Sequence, residues 1–270
     1  MPNSGRPPAR EGISPRKTVL RGYVPEKGEY FAARAGDSPY PPGTLLPAGA
    51  ELPRPVPAWY HLTVPAERPI PFDYSVIYAD RDLIVADKPH FLPTTTNGRL
   101  QRETLQTRLR VDFGLDRLTA GLVLCSRNPA TRAAYQRIFG EGSAVKRYRG
   151  VVKRPLYVDR EITLHMHKPR GSRQVLVASD GTPTSTYVRA AGREVTMWPR
   201  TGHTHQLRVL LNHLGHPLLG DDTYPAPRKL DLYDFRAPLA LLHEAISFID
   251  PLSQSERQFF SSQDLRTTIE

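Results

Sequence analysis

Ser75-Val76-Ile77-Tyr78-Ala79-Asp80-Arg81-Asp82-Leu83-Ile84-Val85-Ala86 sets the pattern for most of the chain. β-Branched and aromatic residues crowd its two ends, and the polar Asp80-Arg81-Asp82 between them is a turn signal, so the stretch reads as two short strands about a turn. Similar runs follow at Gly121 to Cys125, Tyr148 to Val152, Gln174 to Ala178, Thr184 to Arg189, Glu194 to Trp198 and Ala245 to Ile249. Two helices stand out among them. Asn128-Pro129 offers a capping side chain and then a helix-starting proline before Ala130 to Phe139, with Gly140 as a stop. Leu207, Leu210, Leu211 and Leu214 recur at i, i+3, i+4 and i+7 within a helix expected from Thr204 to Leu214, and Gly215 follows as its C-terminal cap. Many strands in short succession with few helices predict an α+β fold: a mixed, mainly antiparallel central sheet with flanking helices. There is no internal repeat and no heptad pattern.

Upstream of this core the composition changes. Of the 27 prolines in the 270 residues, 14 fall within residues 1–70, in runs such as Ser38-Pro39-Tyr40-Pro41-Pro42-Gly43. Such a segment is expected to hold neither a long helix nor a central strand. Residues 1–70 are therefore predicted to be a Pro-rich N-terminal arm or a degenerate small domain, and residues 71–270 a single compact domain. Lys and Arg number 37 against 27 Asp and Glu, a net charge of +10, which points to a polyanionic partner, nucleic acid first. Only nine of those cations, against six acids, lie in residues 1–70, so most of the excess belongs to the core. No run approaches the roughly 18 apolar residues of a membrane span, and the first residues lack the apolar stretch of a secretory signal. With a single cysteine, Cys125, these features predict a cytoplasmic protein in a reducing compartment.

Three constellations could carry chemistry. Gly114-Leu115-Asp116-Arg117-Leu118-Thr119-Ala120-Gly121 places a carboxylate in a loop that leads into a buried strand, where fixed cations would keep it ionised and nucleophilic; Asp beside Arg in a turn is equally the pattern of a surface ion pair. Thr201-Gly202-His203-Thr204-His205-Gln206-Leu207-Arg208 opens the leucine-rich helix, whose other face collects His205, Arg208 and Asn212 at i, i+3 and i+7. Arg208 can there meet a carboxylate or a phosphate. Four histidines between 203 and 216 invite a metal, but no cysteine joins them and the nearest acids, Asp221 and Asp222, lie beyond the helix, so no metal is expected. Lys146-Arg147-Tyr148-Arg149-Gly150 alternates along a strand, sending Tyr148 to the face opposite Arg147 and Arg149. Its ring could stack on a base while the cations meet phosphates, or the segment could be a charged, solvated edge. The loop Lys168-Pro169-Arg170-Gly171-Ser172-Arg173 has the look of a phosphate-contacting hairpin tip or a merely solvated one.

In this order and at these intervals the segments resemble the RNA pseudouridine synthase family, the branch acting on uridines of ribosomal and transfer RNA. The resemblance covers residues 75 to about 265. It runs from Ile84-Val85-Ala86-Asp87-Lys88-Pro89 with Leu92-Pro93-Thr94, through Leu115-Asp116-Arg117-Leu118-Thr119-Ala120-Gly121-Leu122, Lys146-Arg147-Tyr148 and Thr201 to Arg208, to Gly215-His216-Pro217-Leu218-Leu219-Gly220-Asp221. It implies a cofactor-free isomerisation in which the N-glycosidic bond of a uridine breaks, the uracil turns, and it rejoins through C5. By the same resemblance Asp116 is the catalytic aspartate. Tyr148 is the tyrosine that packs against the target base. Arg208 is the arginine that pairs with the aspartate. Arg117, Lys146, Arg147, Arg149, His203 and His205 are the expected RNA contacts, and RNA is the expected partner of a monomeric protein.

The chain departs from the family's pattern in one place near the nucleophile. Phe113-Gly114 stands where relatives have His-Arg, and the helix-like Glu103 to Arg110 runs almost directly into the motif. This motivates a rival reading from another class: a catalytically silent RNA-binding homologue that keeps the fold, the basic face and Tyr148. A hydrolase using Asp116 with Asp112 is a more distant alternative, disfavoured by the basic charge, which suits a polymer substrate.

Overall fold

The computed structural model describes residues 5–35, 38–96, 100–113, 121–228, 231 and 233–265, with backbone alone at 110–113. The chain divides into two units. One comprises residues up to Pro69 together with Thr95–Leu115; the other comprises Ile70–Thr94 and everything from Asp116 onward.

In the first unit, β1 (Arg16–Tyr23), β2 (Tyr30–Ala32), β3 (Leu45–Leu46) and β4 (Glu51–Tyr60) form an antiparallel sheet in the order β1-β4-β2-β3. Leu20, Val24, Ala32, Leu46, Leu52, Val56 and Ala58 supply its core. The expectation that the proline-rich stretch holds no central strand is corrected here. β4 carries Pro53, Pro55 and Pro57 yet lies between β1 and β2. Only Ala58, Trp59 and Tyr60 are flanked by both neighbours. Pro57 turns its carbonyl towards Ala33, on the β2 side, and Pro53 and Pro55 fall in the register break between the Leu20–Val56 and Gly22–Leu52 pairs, so no proline is asked for an N–H by β1. The same unit contains α1 (Leu105–Phe113), begun by Thr104, whose hydroxyl accepts the Thr107 N–H at 3.1 Å. The Glu67 carboxylate gathers the N–H groups of Gln101, Arg102 and Glu103 just ahead of it.

The second unit holds β5 (Ser75–Ala79), β6 (Leu83–Lys88) and β7 (Gly121–Ser126) in one antiparallel sheet. A larger sheet follows, ordered β10-β8-β11-β12 from β8 (Val145–His167), β10 (Thr182–Pro199), β11 (Leu241–Ile249) and β12 (Glu256–Phe260), with the short β9 (Leu176–Val177) beside β8. α2 (Arg132–Gly140) and α3 (Gln206–His213) complete it. This is the α+β architecture expected. Val152, Val188, Val195, Met197, Leu207, Leu210, Leu211 and Leu218 form its main core, so the leucine face of α3 does pack inward.

The helix boundaries differ from expectation for local reasons. Asn128 caps the Ala130 N–H through its side chain and donates to Asp82, so the turn it builds precedes α2. α3 starts at Gln206 because His205 takes a left-handed backbone, φ 57°, which no helix continues through. It ends as its sequence suggests: Gly215 has φ 83°, and His216 N–H and Gly215 N–H return to the Leu211 and Asn212 carbonyls, the paired bonds of a Schellman cap. Among the described residues no helix is long and apolar enough to cross a membrane.

Candidate active site

Tyr148 is placed by the pairing of β8 with β11, in which it lies opposite His243. A bulge at Glu244 interrupts that register, and the extra residue sends the two faces of β11 to different work. On one face the His243 imidazole stacks on the Tyr148 ring, centroids 4.4 Å apart and planes 10° from parallel. On the other, Glu244 accepts Arg147 Nε at 2.6 Å and Arg149 Nη1 at 3.4 Å, while Glu194 takes a second Arg149 nitrogen at 3.4 Å. The alternation expected along this strand is what separates the aromatic face from the cationic one.

His243 is buried, and its Nδ1 lies 2.8 Å from the Leu122 carbonyl. A carbonyl only accepts, so Nδ1 carries the proton. Burial, helped by the nearby Lys146 charge, lowers the imidazole to about 4, and the ring is neutral at pH 7. Burial also raises the Tyr148 phenol above the ordinary tyrosine range, which keeps it protonated. That hydroxyl has no hydrogen-bond partner among the described residues. β7 meets β11 at the same point. A Cβ added to Gly121 would come within 2.5 Å of His243 Cβ, so only glycine fits, and its φ of 84° asks for glycine as well.

Lys146 points the other way from what its place in a basic run suggests. Its side chain is buried, and Nζ donates to the Thr201 carbonyl at 3.3 Å, tying β8 to the loop before α3. Burial lowers its pKa. Buried Lys88 is held similarly, by the Pro89 and Leu92 carbonyls at 2.9 and 2.5 Å, with its pKa lowered to about 8 by burial.

Buried Gln206 organises the loop that precedes α3. Its carbonyl accepts the Thr201 hydroxyl and the His203 N–H, and its amide donates to Ser185 O and Thr186 Oγ1. The loop leaves His203 exposed. His205 instead turns edge-on to Tyr224, with Nδ1 3.2 Å from its hydroxyl, and burial beside Arg208 lowers it to about 4. Arg208 meets carboxylates, one of the two partners foreseen for it: Nε and Nη2 grip Asp221 at 3.0 and 2.6 Å, and Nη2 also reaches Asp222 at 2.7 Å. Asp221 additionally accepts the Thr223 and Tyr224 N–H groups, each at 2.8 Å, and Asp222 accepts Arg173 at 3.1 Å.

Tyr148, Lys146 and α3 with Arg208 are thus assembled on one core, since Tyr148 packs on the cluster containing Leu207, Leu210 and Leu211. Gly114, Asp116, Arg117 and the Phe113 side chain lie outside the described residues, and with them the pairing of Arg208 with Asp116. Sequence reasoning missed His243, Gln206, Asp222 and Tyr224. A lone histidine in a strand carries no spacing signal; Gln206 stood inside the Thr201 to Arg208 motif and Asp222 was noted only as an acid beyond the helix, and neither pattern alone shows the partner each one finds. Among the described residues no group of three or more His, Cys, Asp or Glu could hold a metal ion.

Residues 82–213 match the sequence model of the family described as RNA pseudouridylate synthase. An uncharacterized RNA pseudouridine synthase of Synechocystis is 32% identical over 177 residues, 58% of this chain and 60% of that protein, so the match leaves two fifths of that relative's length uncovered. The dual-specificity RNA pseudouridine synthase RluA of Salmonella typhi is 29% identical over 62% of this chain and 83% of its own length. Among solved structures, human RNA pseudouridylate synthase domain containing 1 superposes with a TM-score of 0.51 at 21% identity, covering 73% of this chain and 96% of that one. Residues 82–213, just under half of the chain, are thus similar in sequence to the RNA pseudouridine synthases, and the fold is similar to theirs as well.

Proposed function

We propose that this protein isomerises uridines of ribosomal or transfer RNA to pseudouridine, as a cytoplasmic monomer, with Asp116 as nucleophile. The balance of the reaction needs no cofactor. The C1′–N1 bond breaks, a C1′–C5 bond forms, and the proton leaving C5 is matched by one gained at N1. Asp116 attacks the nucleotide, Tyr148 packs against the target base, and Arg208 steadies the carboxylate. The observation that carries this reading is the Tyr148 ring: a planar, protonated phenol with no hydrogen-bond partner among the described residues, mounted on a rigid strand whose opposite face carries Arg147 and Arg149. Such a platform suits a base taken out of its stack while cations hold the flanking phosphates.

Arg208 fits its part in a modified form. Asp221 and Asp222 fix Nε and Nη2, and Nη1 is left without a partner among the described residues, in a guanidinium already aimed by its neighbours. Arg117, Arg147, Arg149 and His203 are the proposed RNA contacts; Lys146 and His205, bonded inward, serve by holding the surrounding loops. Residues 1–70 are proposed as an N-terminal arm or degenerate RNA-binding domain ahead of the catalytic one.

The deciding experiment incubates ribosomal and transfer RNA with the wild type and with Asp116→Asn and maps pseudouridine by chemical marking and primer extension. Product from the wild type alone supports the synthase and its nucleophile together. Product from both removes Asp116 from its role. Binding without product from either selects the silent homologue.

A further inference from the structure

His243 is confined on several sides at once. Tyr148 covers one face of its ring at 4.4 Å, Leu122 O holds Nδ1–H at 2.8 Å, and the backbone of Gly121 presses on its Cα and Cβ so closely that no side chain fits between. Its Nε2 is buried and has no partner among the described residues. Leaving that nitrogen unpaired in the interior costs stability. A phenylalanine would stack equally well without that cost, but it could not also donate to β7. What the imidazole adds is a fixed ring plane, tied through Leu122 to the strand whose first residue, Gly121, follows the Asp116 segment in the chain.

The consequence concerns Tyr148. One of its two ring faces is filled, so a base can reach only the other. We propose that His243 is a positioning residue that backs Tyr148, enforcing the stacking order base, Tyr148, His243 and fixing that platform relative to Gly121. This rests on the reading of Tyr148 as the base-stacking residue.

Two substitutions separate the stack from the hydrogen bond. His243→Phe keeps a flat ring against Tyr148 and loses the bond to Leu122; His243→Asn keeps a donor near Nδ1 and loses the ring. Both are followed in the full chain by the NMR shifts of 13C-labelled tyrosine, with Tyr148 assigned through Tyr148→Phe, and by single-turnover pseudouridine formation in ribosomal and transfer RNA with binding measured separately. In the wild type the Tyr148 ring protons are expected upfield through the stacked imidazole. His243→Phe should retain that shift and, no longer tied to Leu122, lose only a few-fold of the rate. His243→Asn should lose the shift and slow turnover about 10- to 100-fold, the scale of a small misplacement beside the chemistry, while RNA affinity changes less than about threefold. An unchanged Tyr148 spectrum in His243→Asn, or full turnover in Asn with loss in Phe, overturns the proposal. If the wild type forms no pseudouridine, the enzymatic reading fails by itself, and the spectrum, with added oligouridylate, still decides whether His243 fixes the ring and which face a base takes.

Discussion

Gly121 and Arg208 show how single residues fix this site. At Gly121 the backbone already occupies the left-handed region, and a methyl group would meet His243 Cβ, N and Cα at 2.5, 2.6 and 2.9 Å. Gly121→Ala is expected to destabilise by about 2–4 kcal/mol, the sum of a strained φ and an overpacked contact between strands. Urea unfolding checks it, and a loss below about 1 kcal/mol would mean that the contact between β7 and β11 yields easily. Arg208 presents the opposite case, attraction in place of exclusion. Its two-nitrogen grip holds Asp221, whose side chain is fully buried, and removing it leaves that charge with backbone donors alone. Arg208→Ala is expected to cost about 3 kcal/mol, and Arg208→Lys to recover less than half of it, because an ammonium cannot match both carboxylate oxygens. Near-equal stability of Lys and wild type in the same unfolding experiment would reduce the pairing to simple charge.

At the scale of elements, the parts legible in the sequence are those whose signal is local. The leucine spacing and Gly215 announced α3, and alternation in Lys146 to Arg149 announced which face Tyr148 would take. β8 was harder. Gly150 and Pro155 break its pattern, yet the strand runs 23 residues, because Pro155 falls where the register with β10 jumps from Val151–Glu194 to Leu156–Gly192 and no ladder N–H is required. The residues of that jump find other partners, Lys153 N–H on Pro217 O and Leu219 N–H on Val151 O. β4 hid behind its prolines for a similar reason, and Lys146 read as a surface cation because its inward turn depends on a carbonyl 55 residues away. The cationic face of β8 also yields a prediction. Arg147 and Arg149 share Glu244 at a partly exposed site, where ion pairs contribute at most about 1 kcal/mol. Arg147→Ala and Arg149→Ala are therefore expected to leave stability nearly unchanged. Each should lower RNA affinity and reduce the salt dependence of binding by about one counterion. Titration by fluorescence anisotropy across salt concentrations measures this, and an unaltered slope would take both arginines off the RNA.

For the whole molecule, the net charge of +10 points to a polyanionic partner, but it does not say how stability follows pH, because that depends on which titratable groups are buried neutral. His243 and His205 both fall to about 4 in the folded state, against an ordinary histidine value near 6.5. Between those values the unfolded chain binds protons that the folded chain refuses, so folding stability is expected to be full above about pH 6.5 and to decline as pH falls towards 4. For fully buried His243 the decline amounts to about 3 kcal/mol; His205, partly exposed, contributes less. Asp222, held low by Thr223 and Arg208 against its own desolvation, adds a further loss at more acid pH, where the unfolded carboxylate takes up a proton that the folded one refuses. The carboxylate and histidine contributions separate in His243→Phe. Its stability, followed by urea unfolding from pH 7.5 to 4.5, should fall less steeply than that of the wild type between pH 6.5 and 5. Parallel slopes would mean that His243 takes up its proton in the folded protein as readily as in the unfolded one, and so that the stack on Tyr148 opens to solvent.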